Sequence, residues 1–145
     1  MKTKILAMAA LVVALALFLF GSTARADLEA MRTVESMYSA LNEGSLDGAA
    51  ALFADDAAVR SAATGQTAAG QAEIGEMLGA WRNGGNRQYD IVGARMSGDT
   101  VELVVDIADH GHVWGQETVR AVVQDGRIRS FDVTAFRLQL WRIAL

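Results

Sequence analysis

The spacing of apolar residues divides the chain into a helical first part and an extended second part. From Asp27 to Glu43, apolar residues recur every three or four positions, which is the spacing of one helix face. The same spacing returns between Gln71 and Arg82. After residue 86 the period falls to two, which is the alternation of β-strands. The pattern therefore predicts an α+β protein, with its helices first and an antiparallel sheet after them.

Turn-forming residues set the bounds of the predicted elements. Gly44 ends the first helix, because glycine accepts the left-handed conformation that follows a helix. Ser45 can cap a second helix, since its hydroxyl accepts hydrogen bonds from backbone N–H groups. The remaining elements are read between turns such as Gly98-Asp99 and Asp125-Gly126. They are a helix over Ser45–Ala54, a strand over Val59–Ala63, a loop over Thr64–Gly70, and strands over Arg87–Met96, Thr100–Ala108, Val113–Gln124 and Arg127–Leu138.

Residues 1–26 have the three parts of a secretory signal. Lys2 and Lys4 form a positive start, residues 5–20 are an unbroken apolar run, and Ala24-Arg25-Ala26 has the small residues of a cleavage site. We therefore expect an exported protein, periplasmic or secreted, whose mature domain is residues 27–145. The alternative is a membrane anchor formed by residues 5–20, although a bilayer span needs roughly 20 apolar residues.

Composition excludes several classes of function. Cleavage after Ala26 removes Lys2, Lys4 and Arg25, so the formal net charge falls from −4 to −7. An acidic domain is a poor partner for nucleic acid or an anionic membrane, and we expect neither. Cysteine is absent, and Lys2 and Lys4 are the only lysines, which excludes thiolate and Schiff-base catalysis in the mature domain. No cofactor is expected, since no nucleotide-binding loop or zinc motif occurs.

Four short motifs, in order and at characteristic spacing, resemble the SnoaL-like branch of the nuclear-transport-factor-two-like superfamily. The resemblance covers roughly Met31 to Arg137. The motifs are Asn-Glu-Gly-Ser-Leu-Asp at 42–47, Leu-Phe-Ala-Asp-Asp-Ala at 52–57, Gly70 with Ile74, and Asp-Gly-Arg-Ile at 125–128. The resemblance implies a curved antiparallel sheet wrapped on three N-terminal helices, which leaves a cone-shaped pocket.

The same resemblance implies a range of activities. It includes polyketide cyclases, ketosteroid isomerases, dehydratases and epoxide hydrolases, which use pocket Asp, His or Tyr side chains without a cofactor. Many relatives carry a pocket aspartate eight residues after the isoleucine of the Asp-Gly-x-Ile turn. This chain has Phe136 at that position, and its nearest aspartate is Asp132.

Hairpin pairing assigns Asp132 to the face of the sheet that covers the helices. A two-residue turn at Asp125-Gly126 pairs Val123 with Ile128, and directly paired residues share a face. Unbroken alternation then puts Asp132 on the face of Ile128, among apolar neighbours. Burial would raise the pKa of its carboxyl, as a general acid or base requires. The alternatives are that Asp132 lies at the open rim, solvated or paired with an arginine such as Arg60, or that a bulge shifts the alternation by one residue.

Other side chains are candidates for the same pocket. His110 and His112, the only histidines, could assist Asp132 in proton transfer, although a solvated turn is the simpler interpretation. A third ligand at fixed spacing is missing, so no metal site is expected. The expected ligand-binding residues combine aromatic side chains with small residues on the inner face: Tyr38, Trp81, Trp114, Val119, Ala121, Ser130, Thr134 and Phe136.

Three functions follow from these residues. The first is an exported domain that binds a small hydrophobic molecule in an apolar pocket. The second is a cofactor-independent acid/base enzyme that uses Asp132 with a pocket tyrosine or histidine. The third is an interaction domain, because the same alternation puts Val122, Phe131 and Val133 on the outer face of the sheet, where they predict a homodimer.

Overall fold

A computed structural model describes residues 24–139 and shows three helices followed by most of a six-stranded sheet. Within those residues, no helix is long and apolar enough to cross a membrane. Helix α1 is described over residues 24–43. The other elements are α2 (Leu46–Ala50), β1 (Phe53–Ser61), β2 (Thr67–Ala69), α3 (Gly70–Trp81), a 3₁₀ turn (Asn83–Gly85), β3 (Arg87–Ser97), β4 (Thr100–Asp109), β5 (His112–Gln124) and β6 (Arg127–Leu138).

The sheet is curved and open, with its strands in the order β2-β1-β6-β5-β4-β3. Strands β3 to β6 form an antiparallel meander, whereas β1 lies parallel to β6. Helix α1 packs on the sheet through Tyr38, whose ring lies 6.0 Å from the ring of Phe131. The α+β architecture predicted from the change of period is therefore confirmed.

The region between α2 and β1 differs from the prediction. Helix α2 ends at Ala50 rather than Ala54, and β1 begins at Phe53 rather than Val59. The reason is tertiary: Phe53 pairs with Ile128 of β6, and the N–H of Ile128 donates to the carbonyl of Leu52 at 2.9 Å. Pairing with a strand that lies 75 residues away outweighs the local helical spacing.

Two β-bulges in β6 change which side chains face the helices. Val123 pairs with Ile128 as predicted, but Val122 pairs with Ser130, so Arg129 is an extra residue. At the second bulge, Val119 pairs with Val133 and Thr118 pairs with Ala135, so Thr134 is an extra residue. Each extra residue moves the alternation by one position. Between the two bulges, each side chain of β6 therefore lies on the face opposite to the one that unbroken alternation predicts.

Asp132 is the main correction that these bulges cause. It pairs with Arg120 of β5 and with Arg60 of β1, on the outer face of the sheet, and is partly exposed. Ser130 and Thr134, also predicted to face inward, border an outer-face groove together with Arg120. The predicted inner position of these three residues is wrong.

Phe131 and Val133 lie in the core, although unbroken alternation predicts that they lie on the outer face. Phe131 has no exposed surface and is surrounded by the rings of Tyr38, Phe53 and Trp81 at centroid distances of 6.0–6.3 Å. Val133 is 3% exposed. Neither residue can belong to an outer apolar patch, so the surface proposed for a homodimer is wrong. The oligomeric state itself stays a prediction.

Candidate functional site

A cavity of about 260 Å³ opens between helix α3 and the inner face of the sheet. Strands β3 to β6 supply most of its wall, and Trp81 of α3 and the end of β1 with the following loop supply the rest. Most of the wall is apolar or aromatic, formed by Ala63, Trp81, Tyr89, Ile107, Trp114, Val133 and Phe136. The polar lining residues are Ser61, Thr64, Arg87 and Glu117. A largely apolar wall with a few polar groups is typical of small-molecule sites.

Glu117 is the buried acid of this cavity. It lies on β5 between Val105 of β4 and Phe136 of β6, and only 8% of it is exposed. Burial raises the pKa of its carboxyl from 4.5 to about 7, against the opposing effects of a hydrogen bond from Tyr38 and the charge of Arg87. Near neutral pH the carboxyl can therefore both accept and release a proton.

Tyr38 of helix α1 reaches Glu117 from the helical side. Its hydroxyl donates to Oε1 of Glu117 at 3.5 Å, and the residue is 3% exposed. Burial, with the charge of Glu117 as a further cause, raises the pKa of the Tyr38 phenol well above its usual range. The phenol therefore stays protonated and acts as a donor to the carboxylate.

Tyr89 is held by helix α1 through a pair of hydrogen bonds. The Asn42 amide donates to the Tyr89 carbonyl at 2.7 Å, and its oxygen accepts from the Tyr89 N–H at 2.9 Å. β3 is an edge strand of the sheet, and the Asn42 side chain makes the backbone hydrogen bonds with Tyr89 that a neighbouring strand would make. The Tyr89 hydroxyl donates to the carbonyl of Trp81 at 3.1 Å, which links the sheet to the end of α3.

Arg87 is the only basic residue that lines the cavity in the described part of the chain. Its Nε donates to Oδ1 of Asp109 at 3.3 Å, across the pairing of β3 with β4. Its guanidinium carbon lies 4.9 Å from the ring centroid of Trp114, within the range of a cation–π contact. These two contacts fix the cation in the cavity wall.

An aromatic pair borders the cavity beside Arg87. The rings of Trp114 and Phe136 lie 5.6 Å apart, and Phe136 is 37% exposed. Gly115 permits this contact, because a Cβ atom there would lie 2.7 Å from Cε2 of Phe136. The glycine therefore decides where the Phe136 ring can lie.

The predicted site residues fall into separate places. Trp81, Trp114 and Phe136 line the cavity, and Tyr38 contacts it through Glu117. Val119 and Ala121 are fully buried core residues, while Ser130, Thr134 and Asp132 lie on the outer face. His110 and His112 are exposed where β4 turns into β5. Any catalytic role of Asp132, His110 or His112 stays a prediction.

Glu117 and Arg87 were not among the predicted site residues. The alternation that places Val119 and Ala121 inward also places Glu117 inward, two positions earlier, so the sequence contained this signal. Arg87 shares the face of Tyr89 by the same rule, but its position at a strand end makes it look like an ordinary surface residue. No group of three or more acidic or histidine side chains within residues 24–139 is arranged to hold a metal ion.

The SnoaL-like domain family matches residues 34–131, which is more than half of the chain. The chain belongs to the SnoaL-like domain family. This SnoaL-like domain has no significant match among curated protein sequences.

Solved structures share the fold of this SnoaL-like domain at low sequence identity. A proposed ketosteroid isomerase from Kribbella flavida is 17% identical, with a TM-score of 0.64 over 73% of this chain and 76% of that one. A proposed polyketide cyclase from Sinorhizobium meliloti is 19% identical, with a TM-score of 0.62 over 70% and 92%.

A third structure is a protein with a ketosteroid isomerase-like fold from Catenulispora acidiphila, in complex with trimethylamine. It is 21% identical, with a TM-score of 0.59 over 69% of this chain and 82% of that one. At these identities the similarity concerns the nuclear-transport-factor-two-like fold alone, and the function has to be argued from the site.

Proposed function

We propose that this SnoaL-like domain is a cofactor-independent acid/base enzyme that transfers a proton to and from a carbon atom of a small, largely apolar substrate. The observation that carries the proposal is Glu117, a buried carboxyl in the cavity wall with a hydrogen bond from Tyr38. A general base is most effective when its pKa lies near the working pH, and burial raises the pKa of Glu117 to about 7.

The roles of the neighbouring groups follow from their contacts. Glu117 would accept a proton from a carbon next to a carbonyl group and return it at the same or a neighbouring carbon. Tyr38 would stabilise the ionised carboxyl through its hydroxyl. The apolar wall would exclude water, so that the carboxyl is less hydrated and more basic than in solution. These arguments favour Glu117 over Asp132, which lies on the outer face.

Deuterium exchange tests this proposal without knowledge of the natural substrate. In D₂O, the enzyme should accelerate loss of the α-C–H signals of small ketones such as 1-phenylpropan-2-one and 2-indanone, followed by proton NMR. Glu117→Gln should lower that acceleration by about 100-fold or more, because a general base contributes roughly 10²–10⁴ in rate. Tyr38→Phe should change it less, since the carboxyl remains.

Glu35→Gln is the matched control, because Glu35 is an exposed carboxylate on the same helix as Tyr38. The Glu35→Gln variant should accelerate the exchange of the ketone α-protons as much as the wild type does. Equal rates for the wild type and Glu117→Gln, with both proteins folded, would contradict the proposed chemistry.

Passive binding is the second candidate, and the apolar character of the cavity wall favours it. In that case the ketones would shift the NMR signals of the wild type and of Glu117→Gln alike, while neither protein accelerates exchange. The two functions therefore give different results in the same samples.

A further inference from the structure

The chemical class of the ligand can be argued from the contacts of Arg87. Arg87 and Tyr89 are two positions apart on β3, so their side chains share the inner face of the sheet. The guanidinium therefore belongs to the cavity wall. The hydrogen bond to Asp109 uses Nε, and the side chain of Tyr89 is a further hydrogen-bond partner of the guanidinium. A guanidinium has five N–H groups in a planar fork, and four of them belong to its terminal nitrogens. Pairs of such N–H groups match the two oxygens of a carboxylate.

The orientation of Arg87 is already fixed before a ligand enters. Asp109 holds Nε from the paired strand, and the Trp114 ring lies against the guanidinium. Because the side chain is ordered by these contacts, binding requires little further loss of side-chain freedom. Trp114 and Phe136 also place apolar surface next to the cation, which suits a ligand that is charged at one end and apolar at the other.

The charges of the cavity wall favour a single anionic group on the ligand. Arg87 is the only basic lining residue among those described, and Glu117 is the only acidic one. A ligand carboxylate next to ionised Glu117 would be repelled, whereas at Arg87 it would meet a guanidinium that it shares with the carboxylate of Asp109. The two residues thus provide different environments within one cavity, one for an anion and one for a proton-transfer step.

The volume indicates the size of ligand that the cavity can hold. At about 260 Å³, the cavity has room for one ring with a short chain.

We propose that the ligand is a small carboxylate with a body of about one ring, whose carboxylate pairs with Arg87 and whose ring packs against Trp81, Trp114 and Phe136. This inference rests on the proposed function, because it takes the same cavity as the substrate site. It adds the class of substrate, a carboxylic acid that carries an acidic C–H bond within reach of Glu117.

A matched pair of ligands tests the inference directly. The probes are 3-phenylpropanoate and its neutral isostere 3-phenylpropanamide, titrated into the protein and followed by two-dimensional amide NMR. The carboxylate should bind at least about tenfold more tightly, because hydrogen bonds to charged groups are worth more than neutral ones. Arg87→Gln should remove most of that preference and leave the affinity for the amide unchanged.

Arg95→Gln is the control variant. Arg95 lies on the same strand and also pairs with an acidic residue, Glu102, but on the outer face. It should keep the wild-type preference for the carboxylate. If Arg87→Gln fails to fold, Arg87→Lys replaces it, because lysine keeps the charge but lacks the fork that binds both carboxylate oxygens. That variant should bind the carboxylate less tightly and the amide as before.

Three results would overturn the inference: equal affinity of wild type for the two probes, binding of neither probe at millimolar concentration, or an unchanged preference in the folded Arg87 variant. Failure of the proposed function gives a different pattern. Glu117→Gln would then leave the exchange of ketone protons unchanged, while the carboxylate still bound through Arg87. Conversely, exchange that depends on Glu117 without any carboxylate preference would refute only the ligand class.

Discussion

At the scale of single residues, Glu117 shows how burial decides chemistry. The same side chain on the outer face, such as Glu102, is held by the arginines Arg95 and Arg120 and reaches solvent. Glu117 instead has one long hydrogen bond from Tyr38 and an apolar surrounding. Its charge is therefore costly, and the folded protein binds a proton there more tightly than the unfolded chain does.

This difference predicts a pH-dependent stability. The pKa of Glu117 is about 7 in the folded protein and 4.5 in a solvated, unfolded chain. Between these two pH values the carboxyl is ionised in the unfolded chain and protonated in the folded protein. The stabilising contribution of the protonated carboxyl is therefore fully present below pH 4.5 and is lost as the pH rises towards 7. The loss amounts to about 3 kcal/mol. Because glutamine does not titrate, the unfolding free energy of Glu117→Gln relative to wild type should rise by about this amount between pH 4 and pH 8.

Urea denaturation at several pH values measures this change. Glu35→Gln removes an exposed carboxylate and serves as the control for the loss of one negative charge. A Glu117→Gln difference that changes with pH no more than the Glu35→Gln difference would mean that the Glu117 carboxyl is hydrated in the folded protein.

Single residues also show what the sequence could and could not predict about the site. The inward position of Glu117 follows from the alternation in β5, which runs without a bulge from Glu117 to Val122 against β4. The raised pKa could not be predicted in the same way. It depends on how closely helix α1 approaches the sheet, because that approach buries the carboxyl. Tyr38 lies on the same helix, 79 residues earlier, and its hydrogen bond opposes the rise.

At the scale of elements, strands β3 to β6 were predictable but the bulges were not, and β2 (Thr67–Ala69) lies in the segment that was predicted to be a loop. The bounds of β3 to β6 differ from the predicted ones by at most one residue at either end. The extra residues Arg129 and Thr134 carry no distinctive turn chemistry, and both have side chains that fit a regular strand. The bulges are specified by which side chains pack inside. Phe131 fills the space among Tyr38, Phe53 and Trp81, where Asp132 would be desolvated.

Strand β5 offers a test of how the aromatic pair shapes the cavity. In Gly115→Ala, the new methyl group would overlap the Phe136 ring, which must move away from Trp114. Because Phe136 is partly exposed, the ring can swing outward, so we expect a loss of only about 1 kcal/mol in unfolding free energy. The Trp114 indole N–H resonance should shift, and the affinity for 3-phenylpropanoate should fall.

Gly93→Ala is the matched control for that experiment. Gly93 also lies in a strand, and a Cβ atom there would make an ordinary contact with Val104 at 3.6 Å. It should leave the Trp114 resonance and the ligand affinity unchanged. Equal effects of the two substitutions would show that Gly115 does not position Phe136.

At the scale of the whole molecule, the change from helical spacing of apolar residues to two-residue alternation was enough to predict the α+β architecture. Helical spacing occupies the first part of the chain and alternation the second, so the sheet can only cover the helices from one side. The pairing of β1 with β6 could not be read in this way, because parallel neighbours are not joined by a short turn. That pairing places Ser61 and the loop after it in the cavity wall.

The N-terminal segment bears on where the protein is found. We propose that the protein is exported and cleaved after Ala26, on the basis of its charged, apolar and small-residue segments. Residues 1–23 lie outside the described part of the structure. Within it, residues 24–26 of helix α1 are exposed, and Ala30 is the first buried residue. Of the described residues, cleavage would therefore remove only exposed ones, and we expect the mature domain to fold.

Intact-mass measurement after expression in a Gram-negative host decides the matter. We expect a soluble periplasmic protein whose mass lacks residues 1–26. Ala26→Arg is the control, because signal cleavage needs a small residue at this position, so that variant should accumulate uncleaved. A wild-type protein that keeps its full mass and is found in the membrane fraction would instead indicate that residues 5–20 remain as an anchor. The cavity and its chemistry would then act at the outer surface of the inner membrane rather than free in the periplasm.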